Sequence, residues 1–216
     1  MSKVNIKKEK HYNEIGEFHE GIAIVAFENK DNKKILWGFI NQNGKEIIPA
    51  IYECVWNFEN SIAKVKTENG KWGYINKNGD AVIEIKYDQI SKLNNGFFKV
   101  SIKNKWGFID EKGTEIIPII YTWIWEWSEN ICTAKIDNKH GVFNTKGEIL
   151  IPFDYDDIKP FLEGICAVKK DNKWGFVNTK NEIVFPIIYD DVWNFKNGKA
   201  QVRIKDEYSI LTYENL

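Results

Sequence analysis

Three groups of side chains in this sequence have the chemistry to form a site. The first is acidic: Asp156-Asp157 and Asp190-Asp191, with Asp88 in a similar setting. Paired carboxylates can hold a cation. An Asp in a turn serves equally well as a cap on a backbone amide, and that plainer reading is preferred here. The second group is His11, His19 and His140 with Cys54, Cys132 and Cys166. The histidines lie in unrelated contexts with no partner at metal-ligand spacing, and the cysteines form no CxxC pair. Three is an odd count for a disulfide framework, so the cysteines read as small buried or half-buried residues. There is no phosphate-cradling Gly-Lys-Ser/Thr loop, no nucleophile elbow and no His-Glu-x-x-His. The expectation is a non-enzymatic chain with no metal and no cofactor. The third group is aromatic. Nine Trp, nine Tyr and thirteen Phe supply 14 % of the residues, far more Trp than ordinary composition would give.

The rest of the composition narrows the partners. The 216 residues carry 30 basic and 31 acidic side chains, a net charge of −1. That balance argues against a nucleic-acid or anionic-membrane binder. The lysines alternate with acids, as in Lys103 to Glu111, which reads as a solvated surface. No stretch approaches the ~18 apolar residues of a membrane span. The first twenty residues show no apolar signal segment, so a cytoplasmic, reducing location is expected.

The tryptophans fall on a period. Trp-Gly occurs at Trp37-Gly38, Trp72-Gly73, Trp106-Gly107 and Trp174-Gly175, at intervals of 35, 34 and 68 residues. His140-Gly141 fills the long interval as a degenerate copy, and Tyr208-Ser209 is a worn copy after the last. A polar turn follows each motif: Asn43-Gly44, Asn78-Gly79, Lys112-Gly113, Lys146-Gly147 and Lys180-Asn181. Then come an apolar run, usually with Pro, and a Tyr: Tyr52, Tyr87, Tyr121, Tyr155 and Tyr189. Beyond each Tyr stand Val55, Ile90, Ile124, Ile158 or Val192, then Phe58, Leu93, Trp127, Phe161 or Phe195. Tyr12, Ile15 and Phe18 fit the same frame. Residues 4–18 are therefore the second half of a unit, and 200–212 the first half of another.

The segments Lys71-Trp72-Gly73-Tyr74-Ile75-Asn76 and Lys105-Trp106-Gly107-Phe108-Ile109-Asp110, the latter running on to Ile117-Pro118 and Tyr121, resemble the WG-containing repeat of bacterial proteins. The resemblance covers nearly the whole chain. It implies a non-catalytic repeat module in a bacterial cell and brings no ligand or catalytic residue with it. The chain departs from the pattern at His140, at Tyr208 and in a long first hairpin loop, Glu28 to Lys34.

The elements that must position these residues are strands. Ile62 to Lys66 alternates apolar and polar, as a half-buried strand does. Glu68-Asn69-Gly70 reads as a turn, Trp72 to Asn76 as a second strand, and Lys77-Asn78-Gly79 as another hairpin turn. Ala81 to Ile83 reads as a third strand, and Tyr87 to Ile90 as a fourth strand or a bend. No window has helical periodicity with caps. The fold class is therefore all-β, with six antiparallel meanders of about 34 residues in a single domain over 1–216. One meander cannot bury its own apolar face, so the units must stack. Complementary terminal halves favour a small closed β-propeller, because their edges would pair. An open β-solenoid is the alternative.

A Trp at one fixed place in each unit reads as core, and the Gly beside it admits a close neighbour. His140 reads as its replacement. Residues that vary at one place are more informative about function. Two residues after the Tyr stand Cys54, Gln89, Trp123, Asp157 and Asp191; four after it stand Trp56, Ser91, Trp125, Lys159 and Trp193. Since Ser and Lys also occur there, the fold does not demand Trp. If extended, Tyr121, Trp123, Trp125 and Trp127 would share a face. Trp56, Trp123, Trp125 and Trp193 are thus the candidate ligand- or partner-binding residues, with packing between units as the competing role. The expected function is a scaffold for protein–protein interaction. The alternative is a carbohydrate or cell-wall binding module that uses the Trp rings as platforms.

Overall fold

The computed structural model describes residues 11–29, 32–93, 96–125 and 130–213. Among these residues twenty-three strands form six small antiparallel sheets, and there is no helix. The first sheet is β1 (Glu14–His19), β2 (Ile22–Glu28), β3 (Ile35–Asn41) and β4 (Glu46–Tyr52), paired in that order. The second is β5 (Cys54–Val55), β6 (Ile62–Lys66), β7 (Trp72–Asn76) and β8 (Ala81–Tyr87). The third is β9 (Gln89–Lys92), β10 (Phe98–Ile102), β11 (Lys105–Ile109) and β12 (Glu115–Tyr121). The fourth is β13 (Trp123–Ile124), β14 (Ile131–Ile136), β15 (Lys139–Asn144) and β16 (Ile149–Tyr155). The fifth is β17 (Asp157–Ile158), β18 (Ile165–Lys170), β19 (Lys173–Asn178) and β20 (Ile183–Tyr189). The sixth has three strands, β21 (Asp191–Val192), β22 (Lys199–Ile204) and β23 (Glu207–Thr212).

The chain divides into two compact units. One is Met1–Lys103 with Ile109–Thr114, the other Asn104–Phe108 with Glu115–Leu216. Of the expected N-terminal half-unit, residues 4–10 lie outside the described residues, as do Lys30 and Asp31 of the first hairpin loop and Trp127 of the aromatic run. Tyr12 keeps its expected place and packs on Ala23, Val25 and Ile40. Ile15 and Phe18 on β1 are exposed, whereas their counterparts Ile158 and Phe161 are buried.

Two sequence expectations change. The third strand is longer than Ala81 to Ile83 and runs to Tyr87. The short strand after each Tyr does not close its own meander; β5 pairs with β6, and β9 with β10, so it opens the next sheet. The cause is a bend at the residue after the Tyr, seen at Glu53, Asp88, Thr122, Asp156 and Asp190.

The motif Gly is explained by a bulge. Trp37 pairs with Tyr52, but Phe39 pairs with Ile48, so β4 carries extra residues opposite Gly38. Pro49 sits in that irregular stretch on the outer strand, where a missing N–H costs no ladder bond. The bulged backbone crosses closely over the glycine. A Cβ on Gly38 would lie 2.6 Å from both the Ala50 nitrogen and the Ile48 carbonyl oxygen. In the fourth sheet the tight neighbour of Gly141 is a side chain instead, the Phe153 ring at 2.7 Å.

The cores lie between consecutive sheets. Phe39 and Ile48 of the first sheet join Tyr52, Phe58, Ala63, Val65 and Ile75 in one buried cluster. Val142, Ile151, Tyr155, Ile158 and Phe161 do the same with Cys166, Val168 and Val177. Each fully buried Phe contributes about 2–3 kcal/mol of transfer free energy. The repeated Tyr and Phe are thus the residues that make stacked units stable.

Candidate functional site

The bend residues hold one sheet to the next. Asp88 accepts hydrogen bonds from Lys71 Nζ, beside its own motif Trp, and from the Lys103 amide of the next hairpin at 2.6 Å. Asp156 accepts from Lys139 Nζ at 2.6 Å and from the Asp171 amide at 3.0 Å. Asp190 accepts from Lys173 Nζ and from the Lys205 amide, both at 2.5 Å. The lysine bond, aided by the amide, holds each carboxyl below the usual Asp range. Asp157 and Asp191 accept from the amides that follow them, of Ile158 and Val192, at 2.9 Å. These acids therefore cap backbone amides, and among the described residues no group of three or more His, Cys, Asp or Glu could hold a metal ion.

A second fastening was not recognised from the sequence. Asn41, Asn76, Asp110, Asn144 and Asn178 stand at one place in five units. Each side chain accepts two turn amides, as Asn144 does from Lys146 at 2.9 Å and Glu148 at 3.0 Å. This locks the hairpin between the third and fourth strands. The same period that revealed Trp-Gly carried this signal.

His140 is a structural replacement. It is buried, and its Nδ1 donates to the Asp156 carbonyl at 2.9 Å. On the neighbouring Gly141, Phe153 is stacked on Tyr121 at 5.3 Å and tilted against Phe143. Cys132 and Cys166 are buried and Cys54 is half-buried, as expected. Burial pushes the Cys166 thiol well up.

The variable tryptophans are a different population. Trp56, Trp123, Trp125 and Trp193 are between 38 % and 49 % exposed; of the motif residues, expected in the core, Trp174 is buried while Trp37, Trp72 and Trp106 are half-buried. Each lies on or just after the short first strand of its sheet. Trp56 leans on Trp72 at 5.2 Å, Trp125 on His140 at 6.1 Å and Trp193 on Tyr208 at 6.1 Å. One part of each ring thus packs on the motif residue of the same sheet while the remainder faces outward. Trp123 and Trp125 also meet edge to face. The expected common face with Tyr121 does not form. The bend at Thr122 separates β12 from β13, so Tyr121 is buried while Trp123 and Trp125 are exposed.

Beside Trp56 a groove of about 270 Å³ is walled by Trp56, Lys64 and Tyr74, with Asn57, Ser91 and Lys92 adding polar groups. Lys64 lies under the tryptophans. Its Nζ is 5.2 Å from the centre of the Trp56 ring and 4.6 Å from that of Trp72, and it donates to the Ile90 carbonyl at 2.6 Å. Burial holds its pKa below the usual lysine value. Lys159 takes the corresponding position over the motif indole of the fifth sheet. It sits 4.9 Å from Trp174 and donates to the Val192 carbonyl at 2.6 Å. Neither lysine was singled out from the sequence, because the two occupy different places in the repeat.

Similarity to known proteins can be set beside this geometry. No curated protein matches the sequence. Among solved structures, the computationally designed Ika4 protein is 14 % identical, with 56 % of this chain and 87 % of that one covered at a TM-score of 0.33. The extracellular domain of a putative one component system, BT4673 from B. thetaiotaomicron, is 11 % identical at a TM-score of 0.33; the match covers 95 % of this chain but only 35 % of that one. The WD40 beta propeller domain of Doa1 is 11 % identical, with 90 % and 76 % covered at a TM-score of 0.31. Likeness at this level bears on neither activity nor partner. The family model described as WG containing repeat, however, matches residues 5–30, 37–72, 72–106, 106–139, 141–174 and 174–208. Those segments carry the bulged Trp-Gly strands and buried tyrosines described above, and the chain belongs to the WG containing repeat family.

Proposed function

We propose that this chain is a non-catalytic scaffold that captures a partner protein through Trp56, Trp123, Trp125 and Trp193. The observation that carries this reading is the exposure of four indoles, three at a place where Ser91 and Lys159 serve the fold equally well and Trp123 at one where Gln89 and Asp157 do. Large exposed aromatics of this kind are enriched at protein interfaces. In this reading the chain works in the bacterial cytoplasm without cofactor, nucleic acid or membrane. The test is affinity capture with the wild type and with a Trp56→Ala, Trp125→Ala, Trp193→Ala variant. One stoichiometric protein should be retained by the wild type and lost from a variant whose circular dichroism is unchanged. Equal capture by both, or a variant that unfolds, overturns the reading.

A carbohydrate-binding role is the second reading. The groove beside Trp56 favours it, because an aromatic wall there meets the polar side chains of Asn57, Ser91 and Lys92. Glycan-array binding that depends on Trp56, in the absence of a captured protein, would select it.

A further inference from the structure

Trp37, Trp72 and Trp174 hold one place in three sheets, and two of them carry resident ammonium groups. Lys64 and Lys66 stand 4.6 Å and 5.6 Å from the centre of the Trp72 ring. Lys159 and Lys169 stand 4.9 Å and 5.7 Å from Trp174. In each pair one ammonium also donates to a carbonyl of the following sheet, that of Ile90 or Val192. Lys64 reaches this spot from β6, and Lys159 from the end of β17. One chemical position, a cation between an indole face and a carbonyl oxygen, is therefore filled from two directions. An indole face and a carbonyl dipole both attract positive charge there.

Trp37 lacks all of these lysines. Ala26 pairs with it across the strands, where Lys66 pairs with Trp72 and Lys169 with Trp174. Ile24 stands in the place of Lys64, and Gly16 in that of Trp56 and Lys159. The strand registers make these places equivalent: Ile15 pairs with Val25 as Val55 pairs with Val65 and Ile158 with Val168. Val55, in the register of Ile90 and Val192, would offer the matching carbonyl.

What the missing side chains leave is a cavity. It measures about 270 Å³ and is lined by Trp37, Gly16 and Ile24 with Glu14, Glu17 and His19 at its rim. Among the described residues no Lys or Arg lines it. An indole face with two carboxylates suits an organic cation better than a hydrated metal ion, since only the organic cation gains by burying its alkyl part.

We propose that this cavity receives a primary alkylammonium group, the side-chain amine of a lysine on a partner protein. The ammonium sits over Trp37 as Lys64 sits over Trp72, and Glu14 and Glu17 supply the countercharge. The inference rests on the reading of the chain as a protein-binding scaffold, and it names the group that the partner contributes.

The test titrates Nα-acetyl-lysine methylamide into the full chain and follows the Trp37 indole N–H resonance, assigned with Trp37→Phe. A saturable shift is expected, absent for the derivative whose side-chain amine is acetylated. Ile24→Lys installs a resident ammonium and should weaken binding by about tenfold or more. Glu14→Gln with Glu17→Gln alters only exposed side chains, so it leaves the fold intact and should weaken binding severalfold. Equal shifts from the two lysine derivatives overturn the proposal, as does unchanged affinity in the double Gln variant. A free diamine that binds about tenfold more tightly than the lysine amide overturns the protein source. Partner capture that survives while amine binding fails removes this site and leaves the scaffold reading standing. Amine binding with no captured protein supports the site and counts against the scaffold.

Discussion

The fourth and fifth sheets differ at the residue that names the repeat, yet they pair alike. Ile131 to Ile136 meets Asn144 to Lys139 as Ile165 to Lys170 meets Asn178 to Lys173. His140 faces Tyr155 as Trp174 faces Tyr189, and the same irregularities follow on the outer strand. Lys139 and Asp156 reproduce the fastening of Lys173 and Asp190. Register is therefore set by strand alternation, the turns and the bulge, and not by the indole. The indole supplies packing and a face for cations. Phe153 stands over Gly141 as Ile187 stands over Gly175.

The largest expected difference between the two sheets lies at the motif Gly. A Cβ on Gly175 would meet the Ile187 backbone at 2.7 Å, whereas on Gly141 its nearest neighbours would be atoms of the Phe153 ring. A ring can swing aside and a bulged backbone cannot. Gly175→Ala should cost about 3 kcal/mol and Gly141→Ala about 1 kcal/mol, read from urea unfolding midpoints. Equal costs would break the distinction. Next is Trp174→His, expected to lose about 2 kcal/mol through lost aromatic burial. An unchanged urea midpoint would show that the indole adds no more to stability at this place than the imidazole of His140 does.

A smaller effect concerns pH. The folded-state pKa values of Asp156 and Asp190 are depressed by Lys139 and Lys173. Their contribution is present above the unfolded Asp value of about 3.9 and lost as pH falls through the lower folded values. The wild-type urea midpoint should therefore drop below about pH 4, and by less in Asp190→Asn. The same flattening is expected of Asp156→Asn if the two sheets are fastened alike. The least disruptive probe is thiol reactivity. Cys54, half-buried, should react with a maleimide in the folded chain, while Cys132 and Cys166 should react only on unfolding.

The sequence alone determined the all-β class, the period and the hairpin turns. Those features are local: alternation sets a strand's faces, and Asn-Gly or Lys-Asn sets a turn. Asn181, which stands in its turn where the preceding units have Gly, has φ 61°. The candidate tryptophans were also legible, because Ser91 and Lys159 at the place of Trp56, Trp125 and Trp193, and Gln89 and Asp157 at that of Trp123, showed that the fold did not require them.

Only the tertiary structure decided where one sheet ends and the next begins. A bend at one residue hands each short strand to the following sheet, and no composition signal marks it apart from the residue types there. Tertiary structure also assigned the acids to Lys71, Lys139 and Lys173. It brought Lys64 and Lys159 from different places in the repeat onto equivalent indole faces. It opened the cavity at Trp37. The physical reason is common to all of these. They are contacts made between repeats, where distance in space is unrelated to position within the period, so periodicity can reveal the frame but not what neighbouring frames place against it.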